Sequence, residues 1–111
     1  MNDTLLLNAI LDSMKNPVVF VDTSHTIRYM NAPATRHYAK DGGAKLLGTS
    51  IFDCHNEESN AMIREIYAEM VEGLEERMIT DNEKYRIYMR AVRDGSGKLL
   101  GYYERYEPPL K

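Results

Sequence analysis

The amino-acid sequence predicts an α+β fold in which five antiparallel strands carry helices on one face. Three observations lead there. From Asn56 to Gly73 the chain has a helical rhythm, with Met62, Ile63, Ile66, Tyr67, Met70 and Val71 spaced along one buried face. Further on, Tyr85, Ile87, Met89 and Ala91 alternate with Arg86, Tyr88, Arg90 and Val92, as in a half-buried strand. Asp94-Gly95-Ser96-Gly97, the clearest turn in the chain, joins that strand to another apolar stretch.

The first element is a helix over residues 3–15, capped by Asp3 or Thr4. Its stripe of Leu5, Leu6, Ala9, Ile10 and Met14, widened by Leu7 and Leu11, is broad for so short a helix. It must lie over the core or pack on a copy of itself. Asn16-Pro17 ends the helix, because the residue before proline is pushed out of the α region. The unbroken apolar run Val18 to Val21 predicts a strand covered on both faces. After a turn at Asp22 to His25, residues 26–30 return as a hairpin strand with Ile27 and Tyr29 on one side. Asn31 caps a short helix, Ala32 to Tyr38, with Pro33 in its first turn. Residues 45–48 and 50–52 are short enough for single helical turns or tight loops. Asn56 then caps the long helix, Glu57 and Glu58 suit its positive end, and Gly73 stops it. Strands follow at Glu76 to Thr80, Tyr85 to Val92 and Lys98 to Glu107. The last carries apolar residues at both parities, as a strand near the middle of a sheet would.

The 111 residues make one domain, with a flanking helix over 1–16, a core over 17–107 and a tail over 108–111. A formal charge of −3 with scattered basic residues argues against a nucleic-acid surface. No apolar run reaches the ~20 residues of a membrane span, and no signal peptide is visible. A single cysteine cannot form an internal disulfide, which points to the reducing cytoplasm.

With these elements in place the chain resembles a PAS domain from about Leu5 to Glu107. The resemblance is carried by Pro17 to Asp22 leading into Ile27 to Asn31, by Ala32 and Ala34, by Leu47-Gly48 before Ile51-Phe52-Asp53, and by the hairpin from Ala91 to Gly101. It implies a five-stranded antiparallel sheet in the spatial order 2-1-5-4-3. It also implies a sensory module that holds a ligand or cofactor between the sheet and the long helix. The residues expected there are Met62, Ile63, Ile66, Tyr67 and Met70 from the helix, and Val19, Ile27, Tyr29, Tyr85, Ile87 and Met89 from the sheet. Methionines and tyrosines make an adaptable apolar lining with a few polar tips. The alternative is a filled, ligand-free core in an interaction module, dimerising through the Leu5–Met14 helix and a sheet face with Tyr88, Tyr102 and Tyr106.

Cys54 and His55 enter the long helix. Haem-binding PAS domains take an iron ligand from this region, so His55, or Cys54 with a thiol pKa lowered by the helix N-terminus, is the candidate haem ligand. A flavin is not expected: the photoactive motif is Gly-Arg-Asn-Cys, and here Ile51 stands three residues after Gly48, with Cys54 three further on. Asp53, Cys54 and His55 are consecutive, so their side chains diverge instead of forming a nucleophile, base and orienter, and no enzyme is expected. PAS modules commonly hand on to a helix after the last strand, whereas Pro108-Pro109 follows here; output by association, as a homodimer through the first helix, is the expectation.

Overall fold

The long helix forms where the caps place it. Asn56 Oδ1 accepts the Ser59 amide at 2.8 Å and starts α3 (Glu57–Val71). At the other end Gly73, with φ of 120°, lets its own amide reach the Met70 carbonyl and the Leu74 amide reach the Glu69 carbonyl. That pair of bonds is a Schellman stop. Between the caps Ile63, Ile66 and Met70 are buried, while the glutamates of the first turn stay in water.

The computed structural model describes residues 2–110. In chain order it contains α1 (Asp3–Asp12), β1 (Val18–Asp22), β2 (Ile27–Met30), α2 (Ala32–His37), single 3-10 turns at Ala39–Asp41, Gly43–Leu46 and Ile51–Cys54, then α3, β3 (Glu76–Asp81), β4 (Arg86–Arg93) and β5 (Leu99–Glu107). The strands form one antiparallel sheet in the order β2-β1-β5-β4-β3, the order the family resemblance implies. No helix among the described residues is long and apolar enough to cross a membrane.

The core face of the sheet presents Val19, Val21, Ile27, Met30, Met89 and Tyr102 to α2, α3 and the 3-10 turns. On β5, Gly101 lies so close to β1 that a Cβ there would run into the Val21 carbonyl oxygen. The outer face carries Val18, Phe20, Tyr29, Tyr103 and Arg105, and beside it lie Leu11 of α1 and Met14 of the turn that follows. This explains the unbroken apolar run of β1, which is covered on both sides. The first helix is capped by Asn2, whose Oδ1 accepts the Leu5 amide at 2.8 Å, rather than by Asp3 or Thr4. None of its residues is buried.

Two expectations about facing change. In β2, Met30 lies opposite Val19 and Tyr29 opposite Phe20, but Ile27 lies opposite Val21, so an irregularity at Arg28 shifts the register by one residue. One extra residue reverses side-chain parity. Ile27 therefore faces the core and Tyr29 the outer face, instead of sharing a side. On β5, Tyr102 and Tyr106 are buried against the helices and do not belong to an exposed sheet face. They share a parity with each other, and in a central strand that parity is the core.

Asn31 ties the N-terminal half together. It is fully buried and its side chain makes all four bonds open to an amide. Oδ1 accepts the Val18 amide at 2.9 Å and the Ala34 amide at 3.0 Å, while Nδ2 donates to the carbonyls of Leu11 at 3.0 Å and Asn16 at 3.1 Å. One side chain thus starts β1, caps α2 and holds the end of α1. Asn31→Ala strands these buried groups, and urea unfolding should show a loss of at least about 3 kcal/mol, since each stranded group costs roughly 1–3 kcal/mol. A loss under about 1 kcal/mol would remove Asn31 as the junction.

Candidate functional site

The edge of β2 decides where a cavity forms. The Gly48 amide donates to the Ile27 carbonyl at 2.8 Å, the Ile27 amide to Thr49 at 2.9 Å, and the Ile51 amide to the His25 carbonyl at 2.9 Å. The segment that pairs with this edge covers it and then folds inward as the 3-10 turn Ile51–Cys54, with Ser50 as its cap. On the far side, Asn60 Nδ2 donates to the Phe52 carbonyl at 3.0 Å and ties the turn to α3. The turn therefore stands over the β1–β2 end of the sheet without filling it.

The space beneath is a cavity of about 410 Å³. Its deep end is Val19 and Glu104, its walls are apolar at Ile27, Met30 and Ile51, and its mouth holds the exposed residues Asp41, Asp53, Cys54 and His55. Glu104 is the unexpected residue. It lies on β5 opposite Val19 of β1 and Met89 of β4, keeps only 6% of its surface, and its Oε2 has no hydrogen-bond partner among the described residues. Burial pushes its carboxyl well above the ordinary glutamate value, with His55 opposing that shift.

Tyrosines flank the acid. Tyr102 is raised by burial and then by the nearby Glu104, and Tyr106 is pushed up to about 12 by burial. The Tyr106 hydroxyl is paired with that of Tyr38, a cavity residue, and both stay neutral. At the mouth, His55 Nδ1 lies 2.9 Å from the Ile51 carbonyl, which can only accept, so Nδ1 carries a proton and donates it there. The thiol of Cys54 is raised, not lowered as a helix N-terminus would have it. Partial burial is the main cause, followed by the carboxylates of Asp53, Asp41 and Glu104. Cys54 ends a 3-10 turn two residues before the α3 cap and so misses the positive end of that helix.

Of the residues expected at a ligand site, Val19, Ile27, Cys54 and His55 come together on this cavity. Ile63, Ile66, Met70 and Met89 sit in the packed core, with Met62 and Tyr67 against it. Ile87 is buried, and Tyr85 stacks edge-on with Tyr106 at 4.9 Å between ring centres. Tyr29 opens on the opposite face of the sheet. Glu104 and Tyr38 have no counterpart in the sequence reading, although a carboxylate at the same parity as Tyr102 and Tyr106 on a central strand was the available signal. His25, which reads as a plain turn residue, is half-buried at φ 63°, with Nδ1 3.1 Å from the Tyr102 hydroxyl and its ring packed on Phe52 and Tyr67.

The family model for the PAS domain matches residues 7–107. The chain belongs to the PAS-domain family. No sequence among the curated proteins matches it. Solved structures share the PAS fold at low identity. The C-terminal domain of a Streptococcus mutans protein superposes with a TM-score of 0.79 at 16% identity, over 95% of this chain and 84% of that one. A sensory box sensor histidine kinase from Vibrio cholerae gives 0.63 at 15% identity, over 97% and 93%. The Aer2 receptor from Vibrio cholerae, a dual PAS-heme oxygen sensor, gives 0.58 at 16% identity, over 85% and 94%.

The residues at the cavity do not fit haem. His55 Nε2 is free in the manner of an iron ligand whose other nitrogen is held by a carbonyl. The remaining polar lining is wrong for a macrocycle with two propionates, because Asp41, Asp53 and Glu104 supply three carboxyls and no lysine or arginine lines the cavity among the described residues.

The buried acid gives this PAS domain a distinctive pH dependence. Above the ordinary glutamate value of 4.5 the unfolded chain releases its proton before the fold does, so stability falls as pH rises through that window. Below it both states keep the proton and no penalty exists. Glu104→Gln cannot ionise. Its unfolding free energy should match wild type below about pH 4.5 and exceed it by at least about 1 kcal/mol near pH 8, read from urea midpoints. A difference that does not change with pH would show that Glu104 is not held in a dry site.

Proposed function

We propose that this PAS domain is a sensory module of a signalling system that holds a small ligand between the core face of its sheet and the Ile51–Cys54 turn. The observation that carries this reading is the cavity with Glu104 at its deep end. At about 410 Å³ it falls within the roughly 300–1,000 Å³ of small-molecule sites. Its apolar walls and few polar groups at the two ends have the make-up of such a site. The fold that the chain shares with a sensor histidine kinase and with a receptor supports the sensory role. A guest pressing on Ile51 is coupled to β2 through the edge bonds and to α3 through the Phe52–Asn60 bond, which is a route by which occupancy biases the helix. Cys54, with its raised thiol, and His55, turned to a backbone carbonyl, make no activated nucleophile, which favours binding over catalysis.

The filled-core alternative makes the opposite prediction for one substitution. Ile51→Phe adds volume at the cavity wall. In a solid core it costs about 1–3 kcal/mol, whereas here it should cost under about 0.5 kcal/mol and abolish amide shifts that small-molecule fragments cause at Val19, Ile27 and Glu104 in NMR spectra. A full overpacking cost, with no fragment moving those amides, would favour the solid core. Added haemin is expected to give no Soret band; one that disappears in His55→Ala would restore haem as the cofactor.

A second reading concerns assembly. Leu5, Leu6, Leu7 and Ile10 on α1 are 45–58% exposed, and beside them the outer sheet face offers a groove walled by Val18, Phe20, Tyr29 and Tyr103. Contiguous apolar surface of this kind marks an association site, and a second copy of the chain through α1 is the proposed partner. Leu6→Glu with Ile10→Glu should give the mass of one chain by light scattering where the wild type gives two. An identical mass for both would end this proposal.

A further inference from the structure

An acid at the bottom of an apolar cavity selects what can enter. Glu104 is more than nine-tenths buried, aimed into the cavity, and its Oε2 is unpartnered among the described residues. A carboxylate in that position needs either a proton or a donor brought from outside. The mouth repeats the sign. Asp41 and Asp53 line it, and His55 is the single side chain there that can carry positive charge. Its Nδ1 proton is committed to the Ile51 carbonyl. Tyr38 spends its hydroxyl on Tyr106. Between the two polar ends the walls are Ile27, Met30, Leu46 and Ile51, with Thr49, whose hydroxyl donates to the Leu46 carbonyl, as the one polar side chain among them.

We propose that the ligand is a small organic cation, an ammonium group on a compact apolar body, with the ammonium donating to Glu104 and the body held by Ile27, Met30 and Ile51. This rests on the reading of the cavity as a ligand site, and it names the ligand's chemistry. An ammonium supplies donors without acceptors and answers the unpartnered Glu104 carboxyl. The acidic mouth raises the local concentration of cations and turns anions away. A one-ring body fits within the cavity's volume with room to spare.

The test is a matched set of three probes on the full isotope-labelled chain: benzylammonium, benzyl alcohol and benzoate, followed by the amide signals of Val19, Ile27, Ile51 and Glu104. Benzylammonium should move these signals and bind at least about tenfold more tightly than benzyl alcohol, with benzoate weakest. In Glu104→Gln, which keeps the shape and removes the charge, the preference for the ammonium over the alcohol should collapse to within about twofold. Asp53→Asn should weaken benzylammonium only slightly, since its carboxylate is exposed. If benzyl alcohol or benzoate binds as tightly as the ammonium, or if the preference survives in Glu104→Gln, the cation assignment fails while the cavity remains a ligand site. If none of the three moves those signals, the ligand site and the cation assignment both fail.

Discussion

A carboxyl group held dry on the middle strand of a sheet is the constraint around which this domain is arranged. Glu104 is flanked on β5 by Tyr102 and Tyr106, opposed by Val19 and Met89, and sealed from water at Oε2. Its neighbours cannot relieve it. The two tyrosine rings bring apolar area, and their hydroxyls are turned elsewhere, to His25 and to Tyr38. A packed hydrophobic residue there would have been the more stable choice, since a buried ionisable group without a partner costs several kcal/mol when charged. An acid that weakens the fold and faces a cavity is what the proposed ligand role of this position would explain.

The scaffold leaves that position open by routing its other polar needs away from it. Asn31 consumes its hydrogen bonds in joining α1, β1 and α2, and the Gly48–Ile51 segment satisfies the edge of β2. On the outer face Arg105 and Arg90 pair with Glu76 and Arg86 with Glu107, while Arg93, on the helix side, pairs with Glu75 and donates to the Met70 carbonyl of α3. These partly exposed pairs contribute little stability each. Among the residues that line the cavity, the carboxyls of Asp41, Asp53 and Glu104 outnumber His55, the one side chain there that can carry positive charge.

Much of the fold was legible in the sequence because local signals agreed with one another. Asn56 and Gly73 bracket α3 as cap chemistry requires, Asn31 starts α2, and the strand order follows from the family resemblance. The site was legible only at Val19, Ile27, Cys54 and His55. Three physical causes account for the rest. The register irregularity at Arg28 moves Tyr29 to the opposite face, and nothing in the residue types announces it. The long helix proved so well packed, with Met70 and Ile63 essentially sealed, that the space fell under the Ile51–Cys54 turn instead. Glu104 escaped notice because strand parity was unassigned on β5; once β1 and β4 flank it, Tyr102, Glu104 and Tyr106 are forced to one face.

The central claim is that Glu104 sits dry and unpartnered until a cationic guest reaches it. The direct measurement is the carbon-13 shift of the Glu104 side-chain carboxyl, assigned by its loss in Glu104→Gln and followed against pH. Alone, the carboxyl should titrate clearly above the ordinary 4.5, with His55, Tyr38, Tyr102, Tyr106, Cys54, Asp41 and Asp53 as the titratable groups nearest it. With benzylammonium present its titration should move back down, because a partnered carboxylate holds its charge more readily. A carboxyl that titrates at the ordinary value and ignores the ammonium would contradict the account.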